Sequence, residues 1–167
     1  MIARASVEHL PLTDNSIDMI FTDPPYPREY LHTYGWLARE AQRVLKPGGF
    51  VMAMAGSLFV NQIYRQFDDV GLSYFFTLYH KTGNNQGSAV FVHKVGRYGV
   101  RISTPVKPII VYSNGPAHPR IGQLIGVFET HPNGKSKEYH HWGQDVGSAT
   151  YYINCFSRHG DLVCDPF

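Results

Sequence analysis

A chain of 167 residues with 43% hydrophobic and 14% aromatic content can bury one sizeable core, which excludes a disordered chain and points to one domain. No apolar run approaches the roughly 18 residues of a membrane span, and "MIARASVEHLPL" lacks the apolar stretch of a secretory signal. Net charge is only +2, and the two cysteines, Cys155 and Cys164, have no CxxC spacing, so a reduced, cytoplasmic setting is expected.

In chain order, "IDMIFTD" (17–23) reads as a strand. A helix is predicted from Arg28 to Leu45, where Leu31, Tyr34, Leu37, Ala38, Ala41, Val44 and Leu45 recur at helical spacing and Pro27 stands near the start. "KPGG" (46–49) stops it, and "FVMAMAG" (50–56) is a second strand. Ser57 is a candidate cap for a helix to Val70, closed by Gly71. Strands are predicted at "LSYFFTLYHK" (72–81) and "KPIIVYSNG" (107–115). Between them lies a long glycine-rich, basic loop with a short hairpin expected at "AVFVHK"; loops this long in compact domains are usually functional. Residues 114–141 form a second irregular stretch, with a strand at "QLIGVFE". A helix over Ser148–Phe156 and a fifth strand at "LVCD" (162–165) complete the reading. Alternating strands and helices imply a largely parallel α/β sheet with helices on both faces. Sites in such sheets lie beyond the carboxyl ends of the strands. Asp23 and Asp165 both stand at such ends, and if their strands are neighbours both acidic loops border one crevice.

Charge is unevenly spread. Between His80 and His141 there are eight Lys or Arg against two acids, and six of the nine histidines. That is +6 for the middle and −4 for the rest, a pattern that suits one face turned toward a polyanion, with DNA-facing loops expected at 80–106 and 114–141. The competing reading is an ordinary solvated loop region.

Two strands end in Asp-Pro-aromatic. In "TDPPYP" (22–27) two prolines fix φ and remove two N–H donors, leaving a stiff loop that offers acceptors. The Asp23 carboxylate and the Pro24 carbonyl can accept from an NH2 group, and Tyr26 can stack on a flat ring, an arrangement suited to an exocyclic amine on a nucleobase. Alone, an Asp at a strand end and a Pro-Pro turn are common.

In context, "SIDMIFTDPPY" resembles the catalytic motif of the S-adenosylmethionine-dependent amino-methyltransferases of DNA, which modify adenine N6 or cytosine N4. "RVLKPGGFVMAMAG" resembles the helix end and strand that follow it. "HHWGQDVGSATYYINCFSRHGDLVCDPF" (140–167) resembles the helix before the cofactor motif and that motif's first half. With the catalytic motif first, the order is similar to the permuted, beta-type members. The resemblance implies a Rossmann-like methyltransferase fold and a site-specific DNA methyltransferase. Asp23, Pro24, Pro25 and Tyr26 would form the catalytic loop, with Tyr26 stacked on a flipped base. Asp165, Pro166 and Phe167 would border S-adenosyl-L-methionine, with further contacts from Gln144, Asp145 and Ser148. From the charge distribution, Lys94, Arg97, Arg101, Arg120, Lys135 and Lys137 are the candidate DNA contacts. Asp23 favours adenine over cytosine.

Cys155 and Cys164 read as core residues rather than as the nucleophile of carbon-5 methylation. His131, His140 and His141 match no zinc spacing, so no metal is expected. Trp142, Tyr151, Tyr152 and Phe156 could form a stacking platform, but at their spacing most of them are expected in the core. The resemblance also implies a glycine-rich turn and a helix after Asp-Pro-aromatic, where this sequence reaches Phe167. Residues 1–167 are therefore expected to form a single truncated methyltransferase domain, incomplete at its C-terminus. By itself it is expected to bind the cofactor weakly, to be inactive, and to associate through an exposed sheet edge. A non-catalytic nucleic-acid-binding remnant is the alternative. Methylation of a protein glutamine amide is disfavoured by Asp23 and by the motif order.

Overall fold

The computed structural model describes residues 6–81, 91–96, 99–129 and 146–167. In chain order the elements are β1 (Ile17–Thr22), a 3-10 turn (Arg28–Tyr30), α1 (Leu31–Val44), β2 (Leu45–Met54), α2 (Val60–Asp68), β3 (Ser73–Lys81), β4 (Phe91–Val95), β5 (Val100–Thr104), β6 (Val106–Ser113), β7 (Val127–Glu129), α3 (Val146–Phe156) and β8 (Val163–Cys164).

Six strands form one sheet in the order β7-β3-β6-β2-β1-β8, and β4 and β5 form a separate two-stranded ribbon. β1 is parallel to β2 and to β8, and β3 is parallel to β7. β6 runs antiparallel to both β2 and β3. The expected largely parallel sheet is thus present with one reversed strand. β3 is followed by the β4–β5 ribbon instead of a crossover helix, so the chain returns antiparallel and inserts β6 between β2 and β3.

Period-two alternation along β2 divides its side chains between two cores. Val51 and Ala53 join Ile20, Ile110 and Tyr112 beneath α1 and α2. Phe50, Met52 and Met54 join Met19, Phe21 and Val111 beneath Tyr152, Cys155 and Phe156 of α3. Helices cover both faces, which is why the strands read as continuous apolar runs. The stripe predicted for the first helix is buried: Tyr34, Leu37, Ala38, Ala41 and Val44 are all fully enclosed.

Four local expectations are corrected. The strand expected from Phe50 begins at Leu45, so residues 46–49 belong to β2 rather than preceding it. Leu45 is already extended, and β2 begins there with a register shift opposite Ile17 and Met19. Gly48 takes φ +82° in that kink, and a Cβ on Gly49 would lie 3.0 Å from the Asp18 carbonyl. Ser57 does not cap α2, which starts at Val60 without a side-chain cap. The predicted first helix is a 3-10 turn followed by α1, and the hairpin strand β4 pairs with β5 rather than within "AVFVHK". No described helix is long and apolar enough to cross a membrane.

The segment before β1 is fastened to α1 by a partly buried ion pair. Glu40, 6% exposed, accepts the Leu10 amide at 2.7 Å and lies 2.6 Å from the Arg43 guanidinium. Arg43 also donates to the Leu10 and Leu12 carbonyls. Burial pushes the Glu40 carboxyl upward, but the Arg43 and Leu10 hydrogen bonds outweigh it and hold it below its ordinary value. A depressed folded pKa gives stability that is present above the unfolded value and lost as pH falls through the folded one. Glu40→Ala is expected to cost about 2 kcal/mol at pH 7, since it removes the charged hydrogen bonds to the Leu10 amide and to Arg43, which is a quarter exposed and keeps Asp14 as a partner. In urea denaturation, the gap between the native chain and Glu40→Gln should close as pH drops below the ordinary carboxylate range. A gap that persists at acid pH would assign the effect to packing.

Candidate active site

β1 and β8 are parallel neighbours, with Met19 opposite Val163 and Ile20 opposite Cys164. Their carboxyl ends therefore open on the same edge of the sheet, and Asp23 and Asp165 follow side by side. The buried Thr22 hydroxyl donates to Asp165 Oδ1 at 2.6 Å, and the Phe167 amide donates to the same oxygen at 3.2 Å. The second Asp-Pro-aromatic end is thus a turn braced against the first. The condition set by the sequence, that the two strands be neighbours, is met.

Within the first loop Pro24 is buried, and Asp23, Pro25 and Tyr26 are half-buried. The Tyr26 hydroxyl donates to Asp23 Oδ1. Burial, and then the adjacent carboxylate, push the Tyr26 phenol well above its ordinary value. The ring is backed by the strand end of β2: a Cβ on Gly56 would lie 3.3 Å from Tyr26 Cβ. Tyr34 of α1 donates to the Met54 carbonyl at 2.9 Å and fixes that strand end from below. Burial and the Asp23 charge raise its phenol too.

Lys107 belongs to this cluster, although its sequence placed it only among the basic residues of the middle. Its Nζ lies 3.9 Å from Asp23 Oδ2 and 5.0 Å from the centroid of the Tyr26 ring, and the residue is only 9% exposed. Burial lowers its pKa while Asp23 raises it, and burial prevails. The available signal was a lysine opening an otherwise apolar strand, a position where the pattern demands a buried residue.

On the far side of Lys107 stands His80, its register partner on β3. His80 is buried, and its Nδ1 lies 3.2 Å from the Ser148 hydroxyl of α3. Ser148 is fully enclosed, so this predicted cofactor contact faces β3 rather than open crevice. Gln144 and Asp145 lie outside the described residues. Asp165 and Phe167 are exposed at the crevice, Phe167 by 42%.

The predicted DNA contacts are separated in space. Lys94 and Arg101 face each other across the β4–β5 ribbon, both exposed. Arg120 lies at the opposite end of the sheet, where it lines a polar cavity of about 260 Å³ with Asp18, Lys46, His118 and Arg158. Arg97, Lys135, Lys137 and the histidines His131, His140 and His141 lie outside the described residues. Among the described residues no three His, Cys, Asp or Glu converge as metal ligands. Cys155 is buried and packs with Phe156 and Tyr152. Burial raises both thiols, opposite to what a nucleophilic cysteine needs.

A family model described as "Methyltransferase domain" matches residues 1–53, which include the Asp23 loop. No curated protein matches the chain. Among solved structures, the PvuII DNA methyltransferase (cytosine-N4-specific) superposes with a TM-score of 0.71 at 16% identity, over 93% of this chain and 68% of that one. The chain has the Rossmann-like methyltransferase fold. A candidate DNA modification methylase of Thermus thermophilus, TTHA0409, in complex with S-adenosyl-L-methionine, superposes with a TM-score of 0.67 at 17% identity, over 94% of this chain and 74% of that one. The M1.HpyAVI–SAM complex gives 0.68 at 16%, over 91% and 72%. In a fold of this kind the crevice beyond β1 and β8, at the carboxyl ends of parallel strands, is where a ligand is expected.

Proposed function

We propose that the protein transfers a methyl group from S-adenosyl-L-methionine to the exocyclic amine of a DNA base, adenine N6 ahead of cytosine N4. The observation that carries this reading is the juxtaposition of Asp23 and Asp165 at the paired ends of β1 and β8, bridged by Thr22. One end presents acceptors for an amine. The other presents a carboxylate and an exposed ring, which suit in kind the ammonium and flat parts of the cofactor. S-adenosylmethionine supplies an electrophilic methyl group. The permuted, beta-type order and the cytoplasmic setting are parts of the same proposal.

The chain's own residues do the positioning. A base amine is conjugated with its ring and weakly nucleophilic. The Asp23 carboxylate and Pro24 carbonyl accept its two hydrogens and turn its lone pair toward the methyl carbon, so that catalysis is mostly orientation. A carboxylate oxygen accepts more than one donor, so the Tyr26 hydroxyl and an amine can share Asp23. On transfer the amine would give up one proton, toward the Asp23 side. Inside a duplex that amine is paired, so the base must first be extruded against Tyr26.

The test is transfer of labelled methyl from S-adenosylmethionine to unmethylated duplex DNA, using the protein from its full reading frame, followed by nucleoside analysis. N6-methyladenosine is expected. N4-methylcytosine would change the target base. DNA binding without transfer would favour the non-catalytic remnant.

A further inference from the structure

We propose that Lys107 is a positioning residue of the transfer site: its ammonium, between the Asp23 carboxylate and the Tyr26 ring, holds both in the orientation that the target amine needs. The inference rests on the methyl-transfer reading of that site. Its basis is geometric. Nζ lies 3.9 Å from Asp23 Oδ2 and 5.0 Å from the Tyr26 centroid, within reach of charge attraction and of cation–π contact. The lysine does not swing freely. It is 9% exposed, it sits in the β3–β6 ladder opposite His80, and the next residue, Pro108, accepts the Ala55 amide at 2.9 Å. That bond ties the lysine's strand to the Ala55–Gly56 turn against which Tyr26 packs. One face of the Tyr26 ring carries the ammonium, so a base stacks on the face turned away from Lys107. A buried cation is costly unless an anion and ring faces compensate it, and its placement against the two predicted base-contacting groups marks it as part of the site.

The role requires the charged form. Among the described residues, the groups that face Lys107 or its partners include Asp23 and Tyr26 from the β1–α1 loop, Tyr34 from α1 and His80 from β3. Burial lowers the lysine's own pKa and raises both phenols. Of Lys107 and the two phenols, Lys107 is therefore the group expected to lose its proton first as pH rises, and the rate should fall with it below the ordinary lysine range.

Two variants and one titration test this. Lys107→Arg keeps the charge at every accessible pH. It should retain kcat within about tenfold at neutral pH and lose the alkaline fall. Lys107→Met should lower kcat about a hundredfold, the effect of misplacing reacting groups by about an ångström, with KM for DNA nearly unchanged and no alkaline fall. An alkaline limb that survives in Lys107→Arg, or wild-type kcat in a folded Lys107→Met, would overturn the proposal. The titration is independent of turnover. In the protein labelled with ¹⁵N at lysine Nζ, one resonance should titrate below the others and move further down in Asp23→Asn. Absence of such a lysine would also overturn it, whereas a wild-type protein that shows this coupling yet methylates no DNA would count against the transfer reading alone.

Discussion

Asp23→Ala is expected to abolish methyl transfer, a loss of about a thousandfold or more, while the chain remains folded. The size follows from the geometry. The substitution removes the carboxylate that directly follows β1, and losing one preorganised polar group from a transition-state site typically costs two to three orders of magnitude. Here the same carboxylate also takes the Tyr26 hydroxyl and faces Lys107, so the stacking wall and the lysine lose a shared anchor. The fold should survive because Asp23 is a half-buried residue beyond the strand end, and the β1 core residues Met19, Ile20 and Phe21 are untouched. Loss of the hydrogen bond, together with the anion that faces the buried Lys107, costs about 3 kcal/mol, which should lower the melting temperature without abolishing the fold. Thermal melting in parallel separates the two effects. Asp23→Asn keeps the shape and one acceptor, and should retain part of the rate. Near-normal turnover in a folded Asp23→Ala would refute the catalytic assignment.

What could be read from the sequence was local chemistry with a period. The α1 stripe, the apolar strands and the two Asp-Pro-aromatic ends each announce themselves by spacing. The apposition of Asp23 and Asp165 followed only on the condition that their strands are neighbours, which the β1–β8 pairing supplies, because parallel neighbouring strands must bring their carboxyl ends together. Strand direction did not follow. "KPIIVYS" is equally apolar whether it runs with or against its neighbours, and only the chain's return through the β4–β5 ribbon reverses β6. Lys107 was missed for a related reason. A lysine at the start of a strand looks like a surface residue until the neighbouring strand end supplies an anion and an aromatic ring. Arg120 was grouped with the DNA contacts by composition, yet the 114–129 segment carries it to the amino ends of β1 and β2, beside Lys46 and Asp18. Composition gives the charge of a segment and not the end of the sheet to which it folds.

The ribbon gives the remaining large effect. In β4–β5, Lys94 and Arg101 are direct cross-strand partners, and residues 91–104 contain no acid. Like charges set opposite each other oppose pairing by about 0.2–1 kcal/mol, so this ribbon carries its positive face at the expense of its own stability. A two-stranded ribbon is also narrow enough for the major groove of duplex DNA, and the excursion that forms it joins β3 to the strand bearing Lys107. Reversing both charges, Lys94→Glu with Arg101→Glu, is expected to weaken DNA binding by an order of magnitude or more and to flatten its salt dependence by about one slope unit per lost phosphate contact. The single Lys94→Glu change is the control. It places opposite charges across the ribbon, which should stabilise the pairing while still removing a phosphate contact. Weaker binding with a shallower slope in that variant therefore cannot come from a melted ribbon. An unchanged slope in both variants would mean that the ribbon faces away from DNA.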